Sequence, residues 1–442
     1  MARPKGIQVA KAIDNFAYGM KRLFRLMFVV TVALFLAPGA AFAADGSGTP
    51  GLAGSRFGLD AMMRGEAARH FDLGTAAVAE GEDDTRGLVR LRPSFETGQD
   101  NSWRGRIEGQ WYGLAGRQDL SAVMVYQAYL EGSLPGTPGL TAKVGRQELV
   151  YGSTFLLGAD TFYDGQSWDA ARLTLRPADR LSVDLFGGRY VKRNSGGIEG
   201  TLYGIYGTIL PQKDFTLDLY GLRDTGGVGA THAGGAHEVT WSVGARAAAR
   251  FGERLDLEAE PVWQFGRKAD GAGGYDPIAA FGGHVDLTFR PAPARFPGKL
   301  FGGFAWGSGD GNPGDHHFRE FHNPNNDTPQ VGDMNVIGDL SGLTVAGHAA
   351  SGLRILTLGG AADLSPAVNL SLTGHAVRAD QVPAGFSKAL GVEADLALAW
   401  TVRDGLCVTL GADRFFTGGF FRDATGREKD IDYGYLQLQA AI

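Results

Sequence analysis

The feature that most constrains this 442-residue chain is an alternation of period two that returns along most of its length. Leu255, Leu257, Ala259, Trp263 and Phe265 share one parity; Asp256, Glu258, Glu260 and Gln264 take the other. Phe281, Val285, Leu287 and Phe289 alternate with His284, Asp286, Thr288 and Arg290. Leu390 to Val402 and Leu436 to Ile442 repeat the pattern. Successive side chains of a strand face opposite sides, so each such segment has one apolar and one polar face. About eighteen segments qualify, starting near 57, 86, 102, 122, 140, 166, 180, 200, 214, 240, 254, 278, 298, 344, 367, 388, 405 and 430. Their connections alternate in character. Pro177–Arg180, Pro211–Asp214, Phe251–Arg254 and Arg403–Gly405 are tight, whereas 224–239 and 307–343 are long. A strand needs ~9–11 residues to cross a bilayer, and tight turns on one rim with long loops on the other are the layout of a transmembrane barrel. The expected fold is all-β, an antiparallel up-and-down β-barrel of about 18 strands. The alternative is a secreted soluble β-protein. Against it, the apolar parity carries Trp103, Trp111, Trp241, Trp263, Trp306 and Trp400, often at segment ends, as interfacial girdles do. No repeat of fixed length supports a solenoid.

The N-terminus reads as an export signal. Lys21, Arg22 and Arg25 precede the apolar run Met27–Ala37, and Ala41-Phe42-Ala43 fits a small-x-small cleavage site. That run is too short for a helical membrane anchor. Residues 1–43 are expected to be removed, leaving 44–442 as a single outer-membrane barrel domain. Residues 1–43 hold six Lys/Arg and one Asp, so their loss moves the formal net charge from −6 to −11. Nucleic acid is disfavoured as a partner. After residue 43 no apolar run reaches the ~18 residues of a helical span. The single cysteine, Cys407, excludes an internal disulfide, a zinc cluster and a haem-attachment motif.

A buried charge is costly in lipid, so the charged parity marks the bore. The first strand offers Asp60, Arg64 and Glu66 there; the second, Arg90 and Arg92; the third, Arg104, Arg106, Glu108 and Gln110. The sixth adds Arg172 and Arg176, the tenth Arg246 and Arg250. Arg64, Arg90, Arg92, Arg104 and Arg106 lie on neighbouring strands and are expected to form one basic ladder. Arg146 is a further candidate, although the phase around Gly145 is ambiguous. Guanidinium groups spaced along a path suit a carboxylated sugar chain, because each can hold a carboxylate through two hydrogen bonds. Glu393, Asp395, Asp256, Glu258 and Glu260 oppose them from other strands, giving the transverse field of a general diffusion pore. The same arginines can therefore be substrate sites or braces of a porin bore. In loop 307–343, His316, His317 and His322 stand near Asp310, Asp315 and Asp327 without a strong metal-ligand spacing. That loop is a solvated loop, a metal site or a segment folded over the pore, and Asn323-Pro324-Asn325-Asn326-Asp327 reads as turns. No GxSxG, HExxH or Walker motif occurs, and a Glu148/Asp169 carboxylate pair has no more claim than many others. No enzyme activity, metal or cofactor is expected.

Several stretches resemble the alginate-export family of outer-membrane β-barrels. They are Phe57-Gly58-Leu59-Asp60 with Asp72-Leu73-Gly74-Thr75-Ala76, Leu91-Arg92-Pro93 with Trp103, and Gly145-Arg146-Gln147-Glu148-Leu149-x-Tyr151-Gly152 with Trp168-Asp169-Ala170-Ala171-Arg172-Leu173. Gly307-Ser308-Gly309-Asp310 and Gly338-Asp339-Leu340-Ser341 complete the series, in family order over nearly all of 57–442. The resemblance implies passive export of an anionic, alginate-like exopolysaccharide through the outer membrane of a Gram-negative cell, with a periplasmic export scaffold as a partner. It also matches Asp160 to an acidic lumen residue. The chain departs from the pattern where an extended loop after the third strand and an extended turn after the sixteenth would cover the pore mouths. Here Gly113–Ser121 and Arg403–Gly405 are short. Met62 and Glu148 stand where the family pattern has Lys and Arg, and the last residue is Ile442 rather than Phe. The departures point to a more open pore or another polymer. The competing functions are an outer-membrane porin for small anionic solutes, general or solute-specific, and a secreted polysaccharide-acting enzyme.

Overall fold

The structure, a computed structural model, describes residues 54–442 except 74–76, 99–102, 117–119, 161–162, 192–199, 226–237, 271, 293–296, 328–331, 335 and 337. The described residues form one antiparallel sheet and one short helix. Its strands are β1 (Arg56–Asp72), β2 (Ala77–Thr97), β3 (Trp103–Ala115), β4 (Leu120–Ser133), β5 (Leu140–Gln147) and β6 (Trp168–Ala178). There follow β7 (Leu181–Tyr190), β8 (Thr201–Gln212), β9 (Phe215–Asp224), β10 (Val239–Phe251), β11 (Leu255–Ala269), β12 (Tyr275–Phe289) and β13 (Gly298–Gly307). The series ends with β14 (Gly342–Val345), β15 (His348–Ser365), β16 (Val368–Gln381), β17 (Ala389–Arg403), β18 (Leu406–Thr417), helix α1 (Gly419–Thr425) and β19 (Ile431–Ala441).

Apart from β14, each strand pairs with the next, and β1 pairs with β19 from Asp60↔Ala441 to Arg69↔Asp432, which closes the cylinder. The four-residue β14 is a hairpin arm on the end of β15, while β13 pairs directly with β15. Eighteen strands therefore build a closed wall, as the alternation predicts. Closure is what a bilayer demands, because an unpaired strand edge would leave backbone N–H and C=O groups in hydrocarbon. The tight connections predicted at Pro177–Arg180, Pro211–Asp214, Phe251–Arg254 and Arg403–Gly405 all join strands at one rim.

Side chains sort as the two parities require. Val123 is 83% exposed and Leu358 64%, and Ile107, Leu130, Leu372, Trp263 and Leu396 also point outward. Glu393, Gln110 and Arg64 lie buried inside. The bore is not empty toward the long-loop rim. Segments 148–167 and 308–341 fold into it, and Phe155, Leu157, Phe321, Met334 and Leu340 join wall residues Tyr206, Tyr220, Val262 and Ile278 in one buried apolar cluster. Helix α1 adds Phe420 and Phe421. The chain thus has two apolar surfaces, one exposed on the outside of the cylinder and one packed within it.

Leu396 lies midway along β17 and faces outward. Leu396→Arg is expected to lower the unfolding free energy in lipid vesicles by about 2–4 kcal/mol. Leu364→Arg, next to the short-turn end of β15, should cost about 0–1 kcal/mol. Equal costs in urea titrations would contradict this placement of the wall in the bilayer.

Candidate functional site

The inner faces of β1 to β3 carry a lattice of guanidinium and carboxylate groups. Arg64 donates to Glu66 at 2.7 Å, to the Tyr433 hydroxyl at 2.8 Å and to Gln437 at 2.9 Å. Arg86 also pairs with Glu66 and reaches the Tyr163 hydroxyl at 2.6 Å. Arg90 pairs with Asp60 at 2.9 Å and donates to the Tyr163 carbonyl at 2.8 Å. Arg104 pairs with Glu131 at 2.8 Å near the short-turn rim, and Arg106 bridges Glu96 and Glu108. Burial makes this pairing obligatory: the Glu66 side chain has no exposed surface, and a lone charge there would cost several kcal/mol.

Arg92 differs from its neighbours. Its donors go to neutral acceptors, Gln110 Oε1 at 2.6 Å and the Asp164 carbonyl at 3.1 Å, and its guanidinium carbon lies 3.6 Å from the centroid of the Tyr126 ring. Among the described residues no carboxylate pairs with it. With Asp60, Met62, Arg90, Arg106, Glu108 and others, Arg92 lines a chamber of about 590 Å³ in the bore. The loop over this chamber turns at Gly165, whose φ is +75°. A Cβ there would collide with Arg92 Nη2 and lie 2.6 Å from the Tyr126 hydroxyl, so the close approach requires glycine.

The two inserted segments interlock. Gly158 N donates to the Asn325 carbonyl at 2.7 Å, and the Thr154 hydroxyl to that of Asp327 at 2.6 Å. The Gln166 amide reaches Asn325 Oδ1 at 2.8 Å, and Asn323 Nδ2 the Phe155 carbonyl at 3.1 Å. The predicted turn 323–327 is thus the clasp, and its loop is folded over the pore. The shortened connections do not leave the long-loop end of the bore open: described parts of two other connections fold into it.

The segments are also pinned to the wall. Ser153 Oγ donates to Glu260 at 2.5 Å and lies 3.1 Å from His284 Nε2, and His284 Nδ1 lies 2.6 Å from Asp286. The order resembles that of a nucleophilic triad, but the serine proton is committed to Glu260 and the imidazole side chain is fully buried. The group acts as a fastener. On the other side, Met334 N donates to Glu393 at 2.9 Å and the Tyr435 hydroxyl to Asp333 at 3.2 Å. Burial, and then the nearby Asp395, push the Asp333 carboxyl above its ordinary range.

The sequence-derived candidates fall into four groups. Arg90, Arg92 and Arg106 line the chamber, Arg64 lies buried against Glu66, Tyr433 and Gln437, and Arg104 sits near the short-turn rim. Arg172 faces the bore 3.8 Å from Glu131, and Arg246 faces it between Asp218 (2.9 Å) and Glu258. Asp160 sits half-buried in segment 148–167 at φ 46°. Arg146 does not face the bore. It shares the outward parity of Val144 and pairs in register with Ala128 and Asp169, whose carboxylate it holds at 2.8 and 3.0 Å. Lys143 takes the inward position, 3.7 Å over the Tyr129 ring. The Glu148/Asp169 pair dissolves likewise: Glu148 faces the chamber and Asp169 faces out. The loop histidines serve separate partners, His316 with Asp276 and His322 with Glu320. Glu258, His284 and Asp286 bring three ligand atoms close together, but Glu258 already receives the Arg246 guanidinium. Sequence reasoning missed Tyr126. A bulge between Glu108 and Gly109 in the β3–β4 pairing turns both Tyr126 and Gln127 inward.

The alginate export family model matches residues 54–331. Among solved structures the fold is similar to OpdQ of Pseudomonas aeruginosa (TM-score 0.61, 11% identity), with 88% of this chain and 98% of that chain covered. It is similar also to OccK11 (OpdR) of the same organism (TM-score 0.56, 14% identity; 88% and 96%). A third is OccK2 (OpdF) of that organism, solved in complex with glucuronate (TM-score 0.57, 12% identity; 88% and 96%). No curated protein matches the sequence.

Gly165→Ala is expected to lift segment 148–167 off Arg92 and Tyr126. Limited proteolysis with mass mapping should show new cleavage within that segment while the strands stay protected. An unchanged digestion pattern would refute the tight approach.

Proposed function

Because the chain belongs to the alginate export family, and so is an outer-membrane channel rather than an enzyme, we propose that it passes an anionic, uronate-bearing polysaccharide passively across the outer membrane. The observation that carries the proposal is Arg92. It is the ladder guanidinium in the chamber whose hydrogen-bond partners are neutral, and it sits against an aromatic ring. A passing carboxylate can exchange with Gln110 Oε1 for its N–H groups at modest cost, while the buried Tyr126 ring holds the guanidinium in place from behind. The paired arginines around it hold the wall in shape without trapping the polymer. A conducting site must be weak enough to release what it binds. Arg64, Arg90, Arg104, Arg106, Arg172 and Arg246 are therefore braces first and contacts second. Asp160 is proposed to repel the polymer within the inserted loop. Short turns are assigned to the periplasmic side, where an export scaffold would dock.

A second reading is a channel for small anionic solutes. The interlocked loops favour it, since a chamber of about 590 Å³ falls in the size range of small-molecule sites. The similar fold of a protein solved with glucuronate supports a uronate as that solute. On the polymer reading the clasp at 323–327 must open to admit a strand.

Planar-bilayer recording separates the two. Polyuronate added to one side should block the current, and Arg92→Gln should weaken that block on the order of ten- to a hundredfold, as expected for loss of a charge-assisted hydrogen bond. Block by monomeric glucuronate and not by the polymer would establish the second reading. A large, weakly selective current that neither blocks would refute both. We also propose that residues 1–43 are an export signal and that 44–442 form the mature single domain. Intact mass of the chain extracted from outer membranes should begin at Ala44, and retention of earlier residues would contradict it.

A further inference from the structure

One rim of the barrel carries arginine on its outside. Nine strands run toward the long-loop rim, and seven have an outward-facing arginine among their last four residues. Along one arc these are Arg146, Arg189, Arg223 and Arg267, on β5, β7, β9 and β11. Along the other they are Arg378, Arg414 and Arg69, on β16, β18 and β1. Their parity is that of the lipid-exposed Val144, Leu185, Leu219, Trp263, Leu372 and Leu410. Their depth is marked by aromatic rings. Arg223 lies 6.0 and 5.9 Å from the Tyr203 and Trp241 rings, and Arg267 lies 4.5 Å from the Tyr275 ring. Aromatic side chains of this kind gather at the membrane–water interface, so the guanidinium groups stand at headgroup level. The opposite rim differs. Its outward positions hold Phe57, Phe95, Trp103, Phe215, Phe251 and Phe289.

Part of the crown is neutralised within the protein: Arg146 by Asp169, Arg69 by Asp432 at 3.5 Å, Arg414 by Asp430 at 2.7 Å. Arg189, Arg223, Arg267 and Arg378 have no carboxylate partner among the described residues. Both rims carry aromatic rings, and four outward guanidinium groups without a carboxylate partner at one of them are the charge complement of an anionic headgroup layer. We infer that this arginine crown binds the phosphate groups of a phosphorylated glycolipid in the leaflet at the long-loop rim. A guanidinium matches a phosphate with two parallel N–H···O bonds, and its weak hydration suits the boundary layer. The inference rests on the outer-membrane location and is independent of what passes through the bore.

The test uses the refolded barrel in neutral detergent, with native mass spectrometry as readout and three probes: a bisphosphorylated lipid A, its dephosphorylated form, and inorganic phosphate. The phosphorylated glycolipid should bind at least about tenfold more tightly than the dephosphorylated one. Arg189→Gln, Arg223→Gln, Arg267→Gln and Arg378→Gln together should abolish that preference. Should the fourfold variant fail to refold, the double variant Arg189→Gln, Arg378→Gln still decides. Those two side chains make no ion pair or ring contact among the described residues, and the preference should fall several-fold. Equal binding of both glycolipids, an unchanged preference in the variants, or displacement of the glycolipid by inorganic phosphate would overturn the inference.

Discussion

Everything in this structure follows from the requirement that no backbone polar group be left unpaired in hydrocarbon. The β1–β19 ladder meets it by joining the first and last strands, which leaves the sheet without an edge. Once the wall is closed, each residue has two options, lipid or bore. Apolar side chains can take either, but a charged side chain away from the rims has one. The bore therefore collects charge of both signs. Packed bores cannot hydrate such charges singly, so they neutralise one another: Arg64 and Arg86 share Glu66, Arg90 takes Asp60, and Arg106 takes Glu96 and Glu108.

On the proposed reading that neutralisation shapes the transport chemistry. A wall of bare guanidinium groups would hold a polyanion too firmly for it to leave. Of Arg64, Arg86, Arg90, Arg92, Arg104 and Arg106, five face carboxylate partners and one, Arg92, faces amide, carbonyl and ring. The count of basic side chains therefore overstates the anion affinity of the bore. What discriminates among them is the identity of the hydrogen-bond acceptor, a property of position and not of composition.

The wall was legible in the sequence because its physics is local. Alternation needs no knowledge of neighbours, and the last four barrel strands begin at 368, 389, 406 and 431, one residue from the starts expected at 367, 388, 405 and 430. β2 begins nine residues early, at Ala77. Its first residues pair with the end of β1 (Phe71↔Val78, Asp72↔Ala77), and the sequence there shows no alternation. The chamber was half legible. Arg64, Arg90 and Arg92 follow from parity, but Tyr126 follows from a bulge whose trace is a phase slip between Val125 and Leu130. Parity alone already sets Arg146 beside Val144, and the pairing of β5 with both neighbours runs through Gly145 without the bulge that the sequence left open. The fastening of the loops was not legible. Ser153, Glu260 and His284 are distant in sequence and meet through tertiary packing.

The clasp between segments 148–167 and 308–341 has a mechanical corollary. Each segment is pinned to a different stretch of wall, one at Glu260 and the other at Glu393, and the two grip each other in the middle. Neither can swing aside alone without breaking the bonds to Asn325 and Asp327. If such a latch opens, its bonds have to release together, and single-channel recording would then show two discrete current levels with abrupt switching between them, rather than a graded widening.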